Sequence, residues 1–278
     1  ILSKDKSGVK SLLSSNLGKG NKFQSKDEFI EEKDFMGSFI SYNSSGGSMS
    51  SLSRYFERTL TMFAQGALYP DFQDDEFEKE KSKLIDGLKI NEKNASTIAR
   101  RVEDIIAFGN GHPQSEFTTQ ESVSNVDLND IHEYYKTYFR PNNAYLIILG
   151  DVDADEVISI SENLFGDWKN SSNLNNLFGD SSINSFKEAS STNNISIHVV
   201  DVPNSSNVEV TFQNIITRTL KDENYFSSNI ANRVLGARPE SRLESVIRED
   251  NGYAYYARSI LSSNSDTKTK FQARTTVR

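Results

Sequence analysis

The chain contains no cysteine, which removes disulfides, thiolate metal sites and cysteine nucleophiles together. Histidine is nearly as scarce: His112, His132 and His198 stand far apart, and none has a second His or Glu at ligand spacing. No apolar run exceeds Ala144 to Leu149, far short of the roughly 20 residues a membrane helix needs, so membrane insertion is not expected. A basic block is also missing. The 31 Lys and Arg are outnumbered by 39 Asp and Glu, and the net charge of -8 argues against nucleic acid or an anionic membrane as partner. Neither a G-x-S-x-G elbow nor a glycine-rich phosphate loop occurs.

What is there is a succession of helical and strand periods. At 278 residues the length suggests two domains of about 150 each. Ser25-Lys26-Asp27-Glu28 has the form of a capping box opening a helix with Phe29, Ile30 and Met36. Strands at 38–43 and 48–53 flank Ser44-Ser45-Gly46-Gly47, which reads as the turn of a hairpin. Helices follow on Phe56/Leu60/Phe63/Ala67, from Asp74 through Leu88, on Ile98/Val102/Ile105/Ile106, and after the cap Asp127. Ala144 to Leu149 reads as a buried strand, and Val157, Ile160 and Leu164 as the inner face of a helix.

From 170 to 194, 14 of 25 residues are Ser or Asn, a composition that reads as an interdomain linker. Beyond it, strands are expected at 195–200, 208–212, 255–262 and 268–277, with helices at 225–235 and 241–248. The expected organisation is a first α+β domain over 1–169, the linker over 170–194, and a shorter α+β segment over 195–278. The first domain opens at a helix with no earlier strand, and the second is short; both are expected to be incomplete.

The opening run Gly8 to Gly20 carries Val9, Leu12, Leu13 and Leu17 at helical spacing, with Ser11, Ser14 and Ser15 clustered on the neighbouring face. Taken alone it is an ordinary Ser-rich helix face. Its frame is also that of an H-x-x-E-H zinc motif with serine at all three positions. Gly8, the leucines and Gly20 resemble the insulinase/pitrilysin family of zinc peptidases, whose motif sits in a run like G-x-x-H-x-x-E-H-x-x-x-x-G. In that family the third ligand is a Glu within F-E-x-E-x-x-x-I-x-x-E. The matching run, Phe77 to Gly87, puts Gly87 at that position, with 71 residues between it and Ser15.

Other fragments carry the resemblance along most of the chain: Tyr69-Pro70, Gly111-His112-Pro113, Tyr138 to Ala144, Gly150-Asp151-Val152, Val234-Leu235-Gly236, Ser241-Arg242-Leu243 and Ile247 to Tyr255. The resemblance implies an α+β fold of two similar domains, each a mixed, mostly antiparallel sheet with helices on one face. It also implies that an Arg and a Tyr seven residues later contact bound peptide; here these are Arg248 and Tyr255, with Tyr253 as competitor. Taken as residues alone, they are also an exposed Arg at a helix end and an amphipathic Tyr on a strand.

Serine is a weak zinc ligand and glycine is none, so no metal or other cofactor is expected in this chain, and catalysis by it alone is not expected. The resemblance implies a zinc-bearing catalytic homologue as partner, a peptide as substrate, and a periplasmic or other extracytoplasmic location. A scaffold subunit without peptide contact and a free peptide-binding module are the other readings.

Overall fold

Val9, Leu12 and Leu13 fall on one stripe of a helix and are fully buried, which is why the opening run folds as α1 (Val9–Asn16) although serines fill much of the rest of its surface. The computed structural model describes residues 4–169, 195–263 and 268–277; the Ser/Asn-rich stretch 170–194 lies outside them. After α1 come α2 (Lys26–Phe35), β1 (Phe39–Asn43), β2 (Gly46–Ser50), α3 (Phe56–Leu68), α4 (Asp74–Asn91), α5 (Ala95–Phe108), α6 (Gln120–Ser124), α7 (Leu128–Tyr138) and α8 (Ala154–Phe165). Then follow β3 (Val208–Ile216), α9 (Tyr225–Leu235), α10 (Arg242–Glu244), a π-helical turn (Ser245–Asp250), β4 (Ala254–Leu261) and β5 (Thr269–Val277). The class is α+β with small antiparallel sheets. The chain forms two compact units, Ile1–Leu88 with Thr118–Gly179, and Lys89–Phe117 with Asp180–Arg278.

In the first unit one apolar cluster joins Val9, Leu12, Leu13 and Leu17 to Phe77 of α4 and Ile131 and Tyr134 of α7. A second gathers Phe29, Met36, Ile40 and Met62 beneath the hairpin. Ser25 caps α2 as expected, its side chain accepting from Glu28 N while the Glu28 carboxylate accepts from Ser25 N. The hairpin register differs from the sequence reading. Asn43 pairs with Gly46, so Ser44-Ser45 alone make the turn, and the glycines belong to β2. Gly47 is needed there for space: an added Cβ would stand 2.8 Å from both the Phe63 ring and Ser41 O.

Tyr42 links β1 to α3. Its ring stacks on Phe63, its hydroxyl donates to Phe63 O at 2.9 Å, and burial pushes its pKa up. Gly66 makes room for it, since a Cβ at that position would lie 2.3 Å from the Tyr42 oxygen. Helix propensity favours alanine over glycine by about 1 kcal/mol, but the stacked, buried ring cannot swing away. Gly66→Ala is therefore expected to cost a net ~1–2 kcal/mol in urea unfolding, and less in a Tyr42→Phe background.

Two expected strands are absent. Ala144 to Leu149 is extended but unpaired, with Tyr145 95 % and Leu149 92 % exposed, and Ile195 to Val200 is likewise unpaired and open. An apolar run becomes a strand only where neighbours supply ladder partners, and among the described residues neither run has one.

In the second unit the sheet order is β3-β5-β4, all antiparallel. Helices cover both faces, where the family resemblance led us to expect one. The β5 face bearing Gln272, Arg274 and Thr276 meets α5, while α9 lies on the other face, where Ser259 Oγ of β4 bonds Asn232 Oδ1 at 2.6 Å. The α5 seam is polar. Glu103 is buried and its Oε2 accepts from Gln272 Nε2 (3.0 Å) and Arg274 Nη2 (3.2 Å); Gln213 Nε2 donates to Glu103 O (3.0 Å). Lys270 pairs with Asp104, and Glu209 Oε2 accepts from Ser96 (2.9 Å) and Thr276 (2.7 Å). Ile106, expected on the inner stripe of α5, is exposed. Satisfying the sheet's polar face has overridden apolar periodicity in orienting this helix.

Candidate functional site: the serine face of α1 and an exposed Arg/Tyr pair

Ser11, Ser14 and Ser15 lie on the less buried side of α1, and the hydroxyls of Ser14 and Ser15 bond backbone groups. Ser14 Oγ donates to Lys10 O (2.8 Å) and accepts from Ser44 N (2.9 Å); Ser15 Oγ donates to Leu12 O (3.1 Å). Ser11 is exposed. Gly87 lies on α4, where an added Cβ would meet nothing within 4 Å. Because α1 and α4 contribute to one apolar cluster, these positions belong to helices sharing a core. Serine hydroxyls, two of them already bonded to carbonyls, and a glycine with no side chain do not fit a zinc ion.

The three histidines are engaged otherwise. His112 stacks on Phe108 and its Nδ1 accepts from Gln114 N, His132 meets the Phe72 ring edge-on, and His198 bonds Ser196 on the extended run. Among the described residues no group of three or more His, Cys, Asp or Glu could hold a metal ion.

Arg248 and Tyr255 lie on one continuous segment, and each sits at a backbone irregularity. Arg248 is on the π-helical turn, a form that adds a residue to a helical turn and is common at functional sites. Its side chain is 53 % exposed and Nη1 donates to Glu244 Oε1 at 2.8 Å. Gly252 N bonds Arg248 O and Tyr253 N bonds Ile247 O, so the turn closes directly onto the approach to β4. Gly252 takes the left-handed conformation there, φ 64°.

Tyr255 is 73 % exposed and stands in a bulge. Ala254 pairs with Val277 but Ala257 with Thr275, so Tyr255 and Tyr256 together face Thr276. Tyr253, the competing position, is also exposed. The π-turn and the bulge are features that residue spacing could not disclose; the Asn251-Gly252 pair is the one local hint of a special turn.

A sequence profile of the Peptidase M16 inactive domain matches residues 125–277, more than half of the chain. The chain belongs to the M16 peptidase family. This is the insulinase/pitrilysin family that the motif frame resembles, and the matched region is its inactive domain. Similar proteins include the "uncharacterized zinc protease YmxG" of Bacillus subtilis, 22 % identical over 221 residues, which cover 78 % of this M16 chain and 50 % of the relative. The solved peptidase M16 inactive domain from Pseudomonas fluorescens superposes with a TM-score of 0.81 at 17 % identity, covering 98 % of this chain and 65 % of that one. The periplasmic protease PqqL of Escherichia coli gives 0.68 at 14 % identity, covering 100 % of this chain and 31 % of that one. At such identities the superpositions establish the fold. This M16 chain spans half the length of its curated relative.

Proposed function

We propose that this chain is a non-catalytic part of an M16 peptidase system, which completes a peptide-binding chamber for a zinc-bearing homologue and presents Arg248 and Tyr255 to the peptide. The observation that carries the reading is the combination in one family member: serine and glycine at the zinc-ligand positions, and an exposed Arg and Tyr at family spacing. Arginine offers a fixed fork of donors to peptide carbonyls, and a tyrosine hydroxyl can donate to a developing oxyanion. Catalysis then depends on a metal held by the partner. The proposal includes the domain limits 1–169 and 195–278, with residues 89–117 of the first packing in the compact unit of the second, two similar domains, and an extracytoplasmic site; the periplasmic relative supports the last.

The test is reconstitution. The purified chain is expected to bind no stoichiometric zinc and to cleave no peptide alone. Mixed with a zinc-bearing M16 homologue from the same genome, it should raise peptide turnover, and Arg248→Ala should lower that turnover about tenfold, near 1.4 kcal/mol of transition-state stabilisation. Full turnover with Arg248→Ala would favour the scaffold reading. One equivalent of bound zinc, or cleavage by the chain alone, would sink the proposal.

One observation favours the free-module alternative. In the first unit a groove of about 960 Å³ is lined by Phe56, Leu60, Phe63, Tyr138, Phe165 and Trp168, beside the unpaired run Ala144 to Leu149. Unpaired extended backbone next to apolar side chains is suited to an extended peptide. That reading predicts peptide binding by the chain without its partner.

A further inference from the structure

The bulge that carries Tyr255 is bonded by the side chains of Thr275, Tyr256 and Thr276. Placing two β4 residues opposite one β5 residue disturbs the ladder at this point. At the bulge the Tyr256 carbonyl accepts from the Thr275 hydroxyl at 2.6 Å. On the neighbouring position Thr276 Oγ1 donates to Glu209 Oε2 (2.7 Å), which leaves the Tyr256 hydroxyl as the donor in its 2.8 Å bond to Thr276 Oγ1. Glu209 accepts from Ser96 of α5 as well (2.9 Å). Both the backbone and the side chain of Tyr256 are thereby fixed, and Tyr255 is attached directly to it.

We infer that Thr275 is a positioning residue: its hydroxyl pins the β4 bulge and so fixes where Tyr255 stands toward a bound peptide. The inference rests on the reading above that Tyr255 contacts substrate. A regular β4–β5 ladder would pair residue 256 with Thr276 and shift residue 255 by one place, and a one-residue slip changes the face on which a side chain emerges. The extra residue is therefore what determines the presentation of Tyr255, and the Thr275 hydroxyl ties the backbone of its neighbour Tyr256 to β5. Valine has the shape of threonine without the hydroxyl and suits a strand, so Thr275→Val removes the pin while keeping the packing.

The experiment measures peptide turnover in the assembly reconstituted with the zinc-bearing homologue, using an unstructured fluorogenic peptide, with Thr275→Val, Thr275→Ser, Tyr255→Phe and the Val/Phe double variant. The inference expects Thr275→Val to lower kcat about fivefold with KM changed less than twofold. Thr275→Ser should stay within twofold of the parent, and the double variant should be no worse than Tyr255→Phe. Amide exchange should rise at residues 254–257 while the rest of the sheet stays protected. If Tyr255→Phe lowers turnover but Thr275→Val does not, the inference fails and the reading of Tyr255 stands. If Tyr255→Phe has no effect, that reading fails and the inference with it. Loss in Thr275→Ser equal to that in Thr275→Val, or additive loss in the double variant, would assign Thr275 a packing role and overturn the inference.

Discussion

Glu103→Ala is expected to destabilise the second unit by about 3–5 kcal/mol, measured as a drop in the urea midpoint followed at the β3-β5-β4 sheet. The magnitude comes from what is left behind rather than from the bond lost. The Arg274 guanidinium is largely buried, its side chain 10 % exposed, and it also stands opposite Arg258 on β4. Removing the carboxylate leaves a largely buried cation beside a like charge, while Gln272 Nε2 loses an acceptor. Glu103→Gln keeps an acceptor without the charge and should cost less, about 1–3 kcal/mol. Replacing Glu103 and Arg274 together by leucines should recover much of the loss, because a buried ion pair is seldom better than well-packed hydrocarbon. If the double variant is as unstable as Glu103→Ala, the charge argument is wrong.

Phe77→Ala should cost the first unit a similar ~3–5 kcal/mol. Its ring is 2 % exposed and joins α4 to the leucines of α1 and to Ile131 and Tyr134 of α7, and Lys81 Nζ lies 5.7 Å from the ring centroid. The surrounding helices can close only part of the cavity, so lost transfer energy and lost packing add. Phe77→Leu should cost less, near 1.5 kcal/mol. Amide exchange in α1 and α7 separates this loss from that at Glu103: it should accelerate in the Phe77 variant and stay unchanged with Glu103→Ala. Equal acceleration in both would contradict the assignment of the two residues to separate cores.

The helices of the first unit were legible because their apolar stripes have the period of the structure they form. Val9/Leu12/Leu13, Phe56/Leu60 and Ile131/Tyr135 each faced a core or its margin, and the caps Ser25 and Asp127 act where local pattern put them. The proposed register of Ser11, Ser14, Ser15 and Gly87 against a metal motif rests on Gly8, Gly20 and Phe77 in the one-dimensional pattern alone. What failed depended on partners remote in sequence. Ala144 to Leu149 has strand composition, but composition cannot supply a neighbouring ladder. Glu103 faces inward because Gln213, Gln272 and Arg274, more than 100 residues away, make that face of the sheet polar. The bulge at Tyr255 is a mismatch between two strand registers, and neither strand alone records it.

The polar seam beneath α5 also sets how that contact responds to temperature. Exposing apolar surface raises heat capacity and exposing polar surface lowers it, so a seam made of Glu103, Gln213, Gln272 and Arg274 releases with a much smaller heat-capacity change than the Val9, Leu13 and Phe77 cluster. Hydrocarbon burial weakens on cooling, whereas this seam has little of it to lose. In the cold, α5 should therefore hold its sheet after the core beneath α1 has begun to loosen.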